Sequence, residues 1–217
     1  MKVANIIIWD LETGGLKAER NAIAEIAMIA INSVTLDEIG RYETIIAPYK
    51  QADGTDVEYV QKALDYNGLT MRRIKSGKDA KTVAKEIQQF VKQHTIPLRY
   101  GNGKPISAGH NIEKFDIPFL KHFLAIHKIK YDDLFQGWPL DTLWMTRLRW
   151  PQDGDILNHQ LGTACEKAGI ELIDAHRAIN DVEANTELLR YFLKSMRSNA
   201  TSTQTKTESS FRESFMF

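Results

Sequence analysis

The chain of 217 residues has one cysteine, Cys165. An internal disulfide and a cysteine-based zinc site are therefore both excluded, and any bound metal must take oxygen or imidazole ligands. Long apolar runs are also missing: none approaches the roughly 18 to 20 residues that span a bilayer, which excludes a transmembrane chain. The apolar stretch at residues 3–9 is too short for a signal-peptide core, meets Asp10 at once and lacks a small-residue cleavage site. The expectation is a cytoplasmic chain without a membrane partner. Net charge is absent as well, with 28 basic against 28 acidic side chains. That balance argues against a protein that coats nucleic acid by bulk electrostatics and leaves room for one that grips a single strand end locally. What is present, 43% hydrophobic and 26% charged residues, is too apolar for a disordered chain and fits one globular domain.

Residues 3–9 form a β-branched run ending at a carboxylate and, soon after, a glycine pair, the pattern of a buried strand. Further strands are expected at 24–32 and 40–47, joined as a meander, then at 105–109 and near 140–142. Helices are expected at 80–94, where Val83, Ile87, Phe90 and Val91 recur at helical spacing, at 117–127, at 158–168 before Gly169, and at 177–196. Residues 96–104, with Pro97, Gly101 and Gly103, read as a loop. Strands first, then strands alternating with helices, point to an α/β fold: a mixed sheet with helices on both faces.

Three clusters carry chemistry. Asp10 and Glu12 are an i, i+2 pair that an extended chain points to one side. Two carboxylates on one side repel unless something positive lies between them, and a hard divalent cation takes oxygen ligands. Gly14 and Gly15 permit a tight turn and close approach of a ligand. An isolated D-x-E is more often a solvated strand end. The second cluster runs from His110 and Asn111 to Phe115 and Asp116, directly after a strand, with Asn111 as a helix cap and Asp116 facing the strand ends. Alone, an acid near a helix N-terminus is ordinary. The third is His176 with Asp181. On one helix, five residues turn the chain about 500° and leave the two side chains about 140° apart. They can share a site only if His176 lies in the loop and the helix starts after it.

Taken together, Asp10-Leu11-Glu12-Thr13-Gly14-Gly15-Leu16, His110-Asn111 through Phe115-Asp116, and His176 with Asp181 resemble the three exonuclease motifs of the DEDDh, or DnaQ-like, 3′ to 5′ exonucleases. The proofreading epsilon subunit of bacterial DNA polymerase III belongs to that family. The resemblance covers residues 3–195, including Glu25 and the stretch Leu140-Asp141-Thr142-Leu143. It implies an RNase H-like fold, a mixed five-stranded sheet flanked by helices, and two Mg²⁺ or Mn²⁺ ions. Asp10, Glu12 and Asp181 would hold the first ion, Asp10 and Asp116 the second, and His176 would take the proton from the attacking water. Thr13, Gly14, Leu16 and Asn111 would contact the substrate, Leu16 as the apolar wedge beside the terminal base. A core position is an equally good reading for Leu16. The chain departs from the family's D-x-E-x-T-G pattern at Gly14, which removes a threonine side chain and leaves Thr13 and the backbone to supply that contact.

The implied activity is release of nucleoside monophosphates from single-stranded DNA 3′ ends, in proofreading or repair. The alternatives are an RNA 3′ exonuclease of the same family and a binding subunit that kept the fold and lost the chemistry. Arg72, Arg73, Lys75 and Lys78 form a basic run, and Trp138, Trp144 and Trp150 can stack bases, although a solvated face and rim packing are the commoner roles. Residues 1–197 read as the exonuclease domain and 198–217 as a disordered Ser/Thr-rich tail. The tail ends in Arg212-Glu213-Ser214-Phe215-Met216-Phe217, similar in layout to sliding-clamp-binding peptides but with Arg212 where glutamine is usual. It is expected to anchor the domain to a polymerase or a sliding clamp, with docking onto its own domain as the alternative.

Overall fold

The computed structural model describes residues 3–97, 103–151, 158–173 and 177–214, with side chains as far as residue 198. Strands β1 (Ile6–Thr13), β2 (Ile23–Ile31) and β3 (Glu38–Ile45) are followed by helices α1 (Gln61–Tyr66), α2 (Met71–Lys75) and α3 (Ala80–Gln93). Then come β4 (Ile106–Gly109), α4 (Asp116–Ile126), α5 (Tyr131–Leu134), β5 (Leu140–Asp141), α6 (Thr142–Arg149), α7 (Leu161–Ala168) and α8 (Ala178–Ser214). The sheet order is β3-β2-β1-β4-β5. β1 runs antiparallel to β2 and β2 to β3, whereas β4 and β5 run parallel to β1. This is the mixed sheet that the order of elements predicts, in the five-stranded RNase H-like form that the family resemblance implies.

The sheet is covered on both faces. Ile7, Trp9 and Leu11 of β1 pack with Val83, Ile87 and Phe90 of α3 and Phe119, Leu120 and Phe123 of α4. Ile6 and Ile8 face the other way, onto Val182 and Leu189 of α8. Burial on both faces is why β1 reads as an unbroken apolar run. The buried Trp9 donates its indole N–H to Ser107 Oγ at 2.7 Å, so its one polar atom is satisfied inside the core. Asp79 caps α3 by accepting the Thr82 N–H at 2.9 Å. At the far side of α8, Arg190 donates to the Leu36 carbonyl and Arg197 to the Val34 carbonyl, pinning the helix to the β2–β3 turn.

Three expectations change. β1 continues past Trp9 to Thr13, because β2 keeps pairing with it as far as Ile23. A helix, α6, occupies 142–149, where only a short strand is expected. Its buried residues are Thr142 and Thr146, so hydrophobic periodicity gives no sign of it. α8 continues as helix through the Ser/Thr stretch to Ser214, beyond the end expected at 196, since propagating a helix that packing has already nucleated costs far less than starting one. Among the described residues no helix is long and apolar enough to cross a membrane.

Candidate active site

β1 and β4 pair only through Ile8 and Ala108, so beyond that point β1 runs on beside an opening. In sheets with parallel strands, such a gap outside the carboxyl ends is where ligands bind. The alternation that turns Ile6 and Ile8 toward α8 carries Asp10 and Glu12 to the same side. Asp181, in the first turn of α8, meets them there. One carboxylate oxygen from each of Asp10, Glu12 and Asp181 lies within 4.8 Å of the others.

Asp116, the first residue of α4, reaches the same place from the opposite layer. Its carboxylate accepts the Leu11 backbone N–H, a donor of β1 beyond the β4 pairing. Among neighbouring charges, Asp116 contributes most to raising the Asp10 pKa, ahead of Glu12, Asp181 and Glu25. Burial is the larger cause, and it holds Asp10 and Asp116 well above the ordinary carboxylate range. Glu12 is pushed up to about 8 by burial and by Asp181, Glu25 and Asp116, with Arg177 opposing. A buried, all-oxygen donor set with this much mutual repulsion fits a hard divalent cation, which would relieve the repulsion and take the ligands offered.

Two side chains outside the expected ligand set brace it. Glu25 lies directly across the β1–β2 ladder from Glu12, a like-charge pairing that destabilises a sheet. Arg177 answers it, with its guanidinium 3.2 Å from Glu25 Oε1. Arg177 stands inside the third motif and has no role in the sequence reading; a cation 152 residues away from a strand carboxylate leaves no local signal. Asp141 is the second brace. Its Oδ1 accepts the N–H of Asn111 at 2.8 Å and of Leu143 at 3.0 Å, so one carboxylate caps α6 and pins the turn that carries Asn111. Asp141 immediately before a helix is a capping signal that the sequence does offer.

Asn111 does not cap α4: the residue at that cap is Phe115, with no side-chain cap bond. Asn111 instead adopts a left-handed conformation, φ 61°, which asparagine tolerates better than most residues. Beside it, His110 Nε2 lies 2.8 Å from the His159 carbonyl and Nδ1 lies 3.0 Å from Thr142 Oγ1. A carbonyl only accepts, so Nε2 carries the proton, and burial lowers the ring's pKa and favours the neutral form. His110 is thereby a strut between β4 and the segment at His159. Asp10, Asp181, His110 and Asn111 line one cleft of about 1050 Å³, with Leu143 and Arg147 on its outer wall.

On the other side of Glu12 lies a second, more apolar cavity of about 660 Å³, lined by Leu16, Val60, Tyr66 and Phe115 among others. Leu16 is 83% exposed, which removes the core reading and puts it on the lip of this cavity. Tyr66, which the sequence reading passed over, lines both cavities. Gly14 has an ordinary backbone conformation, and what it provides is space: a Cβ there would stand 2.7 Å from the Glu58 carbonyl oxygen. Its carbonyl accepts the Val60 N–H at 2.7 Å. The glycine at 14 therefore lets segment 58–60 pack against the end of β1. Thr13 is buried and donates its hydroxyl to the Gly15 carbonyl at 2.7 Å, so its side chain is committed to the turn. His176 lies outside the described residues, as do the side chains of Arg212 to Phe217.

The chain matches the exonuclease family profile over residues 7–189. It is 28% identical over 188 residues to the PolC-type DNA polymerase III of Bacillus subtilis (strain 168), covering 87% of this chain and 11% of that protein. To the PolC-type enzyme of Oceanobacillus iheyensis it is 31% identical over 183 residues, 84% of this chain and again 11% of the relative. The chain thus spans about a tenth of the length of these curated relatives. Among solved structures, E. coli exonuclease I in complex with a dT13 oligonucleotide superposes with a TM-score of 0.72 at 20% identity, covering 93% of this chain and 43% of that one.

Proposed function

The chain belongs to the exonuclease family, DnaQ-like in its motifs and RNase H-like in its sheet, and on that premise we propose that it is a divalent-metal-dependent 3′ to 5′ exonuclease releasing nucleoside monophosphates from single-stranded DNA. The observation that carries the proposal is the cluster of Asp10, Glu12 and Asp181 oxygens within 4.8 Å, with Asp116 bound to the same strand. The chemistry that bound Mg²⁺ or Mn²⁺ supplies is activation of a water and stabilisation of the leaving 3′ oxygen. Asp10, Glu12 and Asp181 would hold one ion, and Asp10 with Asp116 would hold the second. His176 takes the proton of the attacking water on an imidazole nitrogen. Leu16 stands beside the terminal base at the apolar cavity, the Thr13–Gly14 backbone lies under the terminal nucleotide, and Asn111 faces the strand from the opposite wall. Arg177, through Glu25, keeps the sheet intact beneath Glu12. Residues 1–197 carry this activity. The segment 198–217 tethers it to a polymerase or sliding clamp for proofreading or repair. DNA as substrate is supported by relatives that are DNA polymerases and by an RNase H-like neighbour bound to dT13.

The test is digestion of 5′-end-labelled DNA and RNA of matched sequence in Mg²⁺ and in EDTA. Stepwise 3′ shortening of DNA in Mg²⁺ alone is expected. Faster loss of RNA moves the protein to an RNA 3′ exonuclease, and binding without hydrolysis of either substrate in Mg²⁺ makes it a silent subunit.

A further inference from the structure

Helix α6 buries its two threonines and packs Met145 on the core, yet leaves two of its large apolar side chains, Trp144 and Leu148, facing outward. Trp144 is 46% exposed, and Leu148, one turn further along the same face, is 83% exposed. Trp150, by contrast, stacks on Tyr191 with ring centroids 5.8 Å apart and packs on Phe192, and Trp9 is in the core. The Trp144 ring is flanked by two cations, the Arg147 guanidinium at 5.0 Å and the Lys114 ammonium at 5.9 Å from its centroid. Among the described residues neither cation is in a salt bridge. Arg147 also lines the cleft that holds Asp10 and Asp181, so this face is continuous with the carboxylate site.

These features select the occupant. An exposed aromatic face with unpaired cations beside it suits a chain that alternates flat bases with phosphates. The chain's zero net charge gives no general attraction for a polyanion, and the carboxylates repel one, so attraction has to be supplied locally at the mouth of the cleft. We infer that the Trp144–Leu148 face of α6, with Lys114 and Arg147, is the platform on which bases upstream of the 3′ end stack while their phosphates meet the two cations. The inference rests on the nuclease reading and names where the strand lies before it enters the site.

The experiment measures binding of the full chain to 5′-fluorescein-labelled dT12 by anisotropy in EDTA, where metal-dependent hydrolysis is stopped. Trp144→Ala should weaken binding about 5- to 150-fold, the equivalent of 1–3 kcal/mol for a stacked base. Trp144→Phe, which keeps a π-face, should retain most of the affinity. Against a 12-mer that is abasic except at its 3′-terminal nucleotide, wild type and Trp144→Ala should bind alike. Arg147→Gln should lower the salt-dependence slope by about 0.7, one phosphate contact on a single strand. The platform is overturned if Trp144→Ala binds dT12 as wild type does, which would leave the face for a protein partner. It is also overturned if Trp144→Ala loses as much on the abasic strand, or if wild type does not bind dT12. Trp144-dependent binding without hydrolysis in Mg²⁺ would instead sink the nuclease reading and leave the platform standing.

Discussion

The two faces of β1 are built from alternate residues of the same eight-residue strand and end differently. The face of Ile7, Trp9 and Leu11 is apolar as far as Leu11 and closed by α3 and α4. The face of Ile6 and Ile8 begins as core against α8 and then becomes an acidic site, with Asp10 half-buried and Glu12 buried. The difference shows how a fold can pay for a destabilising cluster: the side that packs holds the strand in place, and the other side puts charge where water is scarce.

The largest effect should come from Asp10→Ala. In the proposed arrangement both ions lose a shared ligand, and a loss of several kcal/mol of transition-state stabilisation corresponds to about 10³-fold or more in kcat/KM, read from end-labelled oligonucleotide digestion. The same variant should melt a few degrees higher than wild type in EDTA at pH 8, because it removes a buried carboxylate from a repelling cluster. A lower melting temperature would mean that Asp10 stabilises the apo fold. On the packed face, Trp9→Ala should cost about 3–5 kcal/mol in denaturant unfolding through the cavity it leaves. A cost near zero would erase the contrast between the faces.

The contrast sharpens with pH. Glu12 titrates at about 8 in the fold against 4.5 as an ordinary glutamate, so between those values the folded state holds a proton that the unfolded state has released. Stability conferred by that protonated form is present below pH 4.5 and is lost as pH rises toward 8. Melting temperature in EDTA should therefore fall from pH 5 to pH 8, and the rise produced by Mg²⁺ should be largest at pH 8, where ion binding displaces fewest protons. Flat curves in both conditions would remove the carboxylate coupling. The smallest effect is expected of Leu16→Ala: stability unchanged within about 0.5 kcal/mol, since the side chain is exposed, with KM raised on single-stranded DNA.

Legibility followed burial. β1 and β2 were readable because both faces are covered and the runs are continuous, and α3 was readable because its apolar stripe keeps helical spacing. α6 was not, since its buried residues are two threonines and two of its large apolar residues, Trp144 and Leu148, face outward. Asn111 looked like a cap because it precedes a helix, whereas its backbone, held by Asp141 from a distant strand, sets its conformation. The space under Gly14 and the Glu25–Arg177 pair likewise depend on segments far apart in the chain.

The sequence by itself determined that no thiolate site can form, by its single cysteine, and the order in which acidic residues follow strands or open helices. Those are properties of residue type and local periodicity, which the chain carries wherever it goes. Only the tertiary structure decided that Asp181 from α8 and Asp116 from α4 meet Asp10 and Glu12 from opposite layers, at the point where β4 leaves β1. It also decided that Glu12 and Asp116 are buried there while Asp10 and Asp181 are half-buried beside them. The raised pKa values of Asp10, Glu12 and Asp116 arise from desolvation and proximity, which exist only once the sheet and its two helical layers have closed.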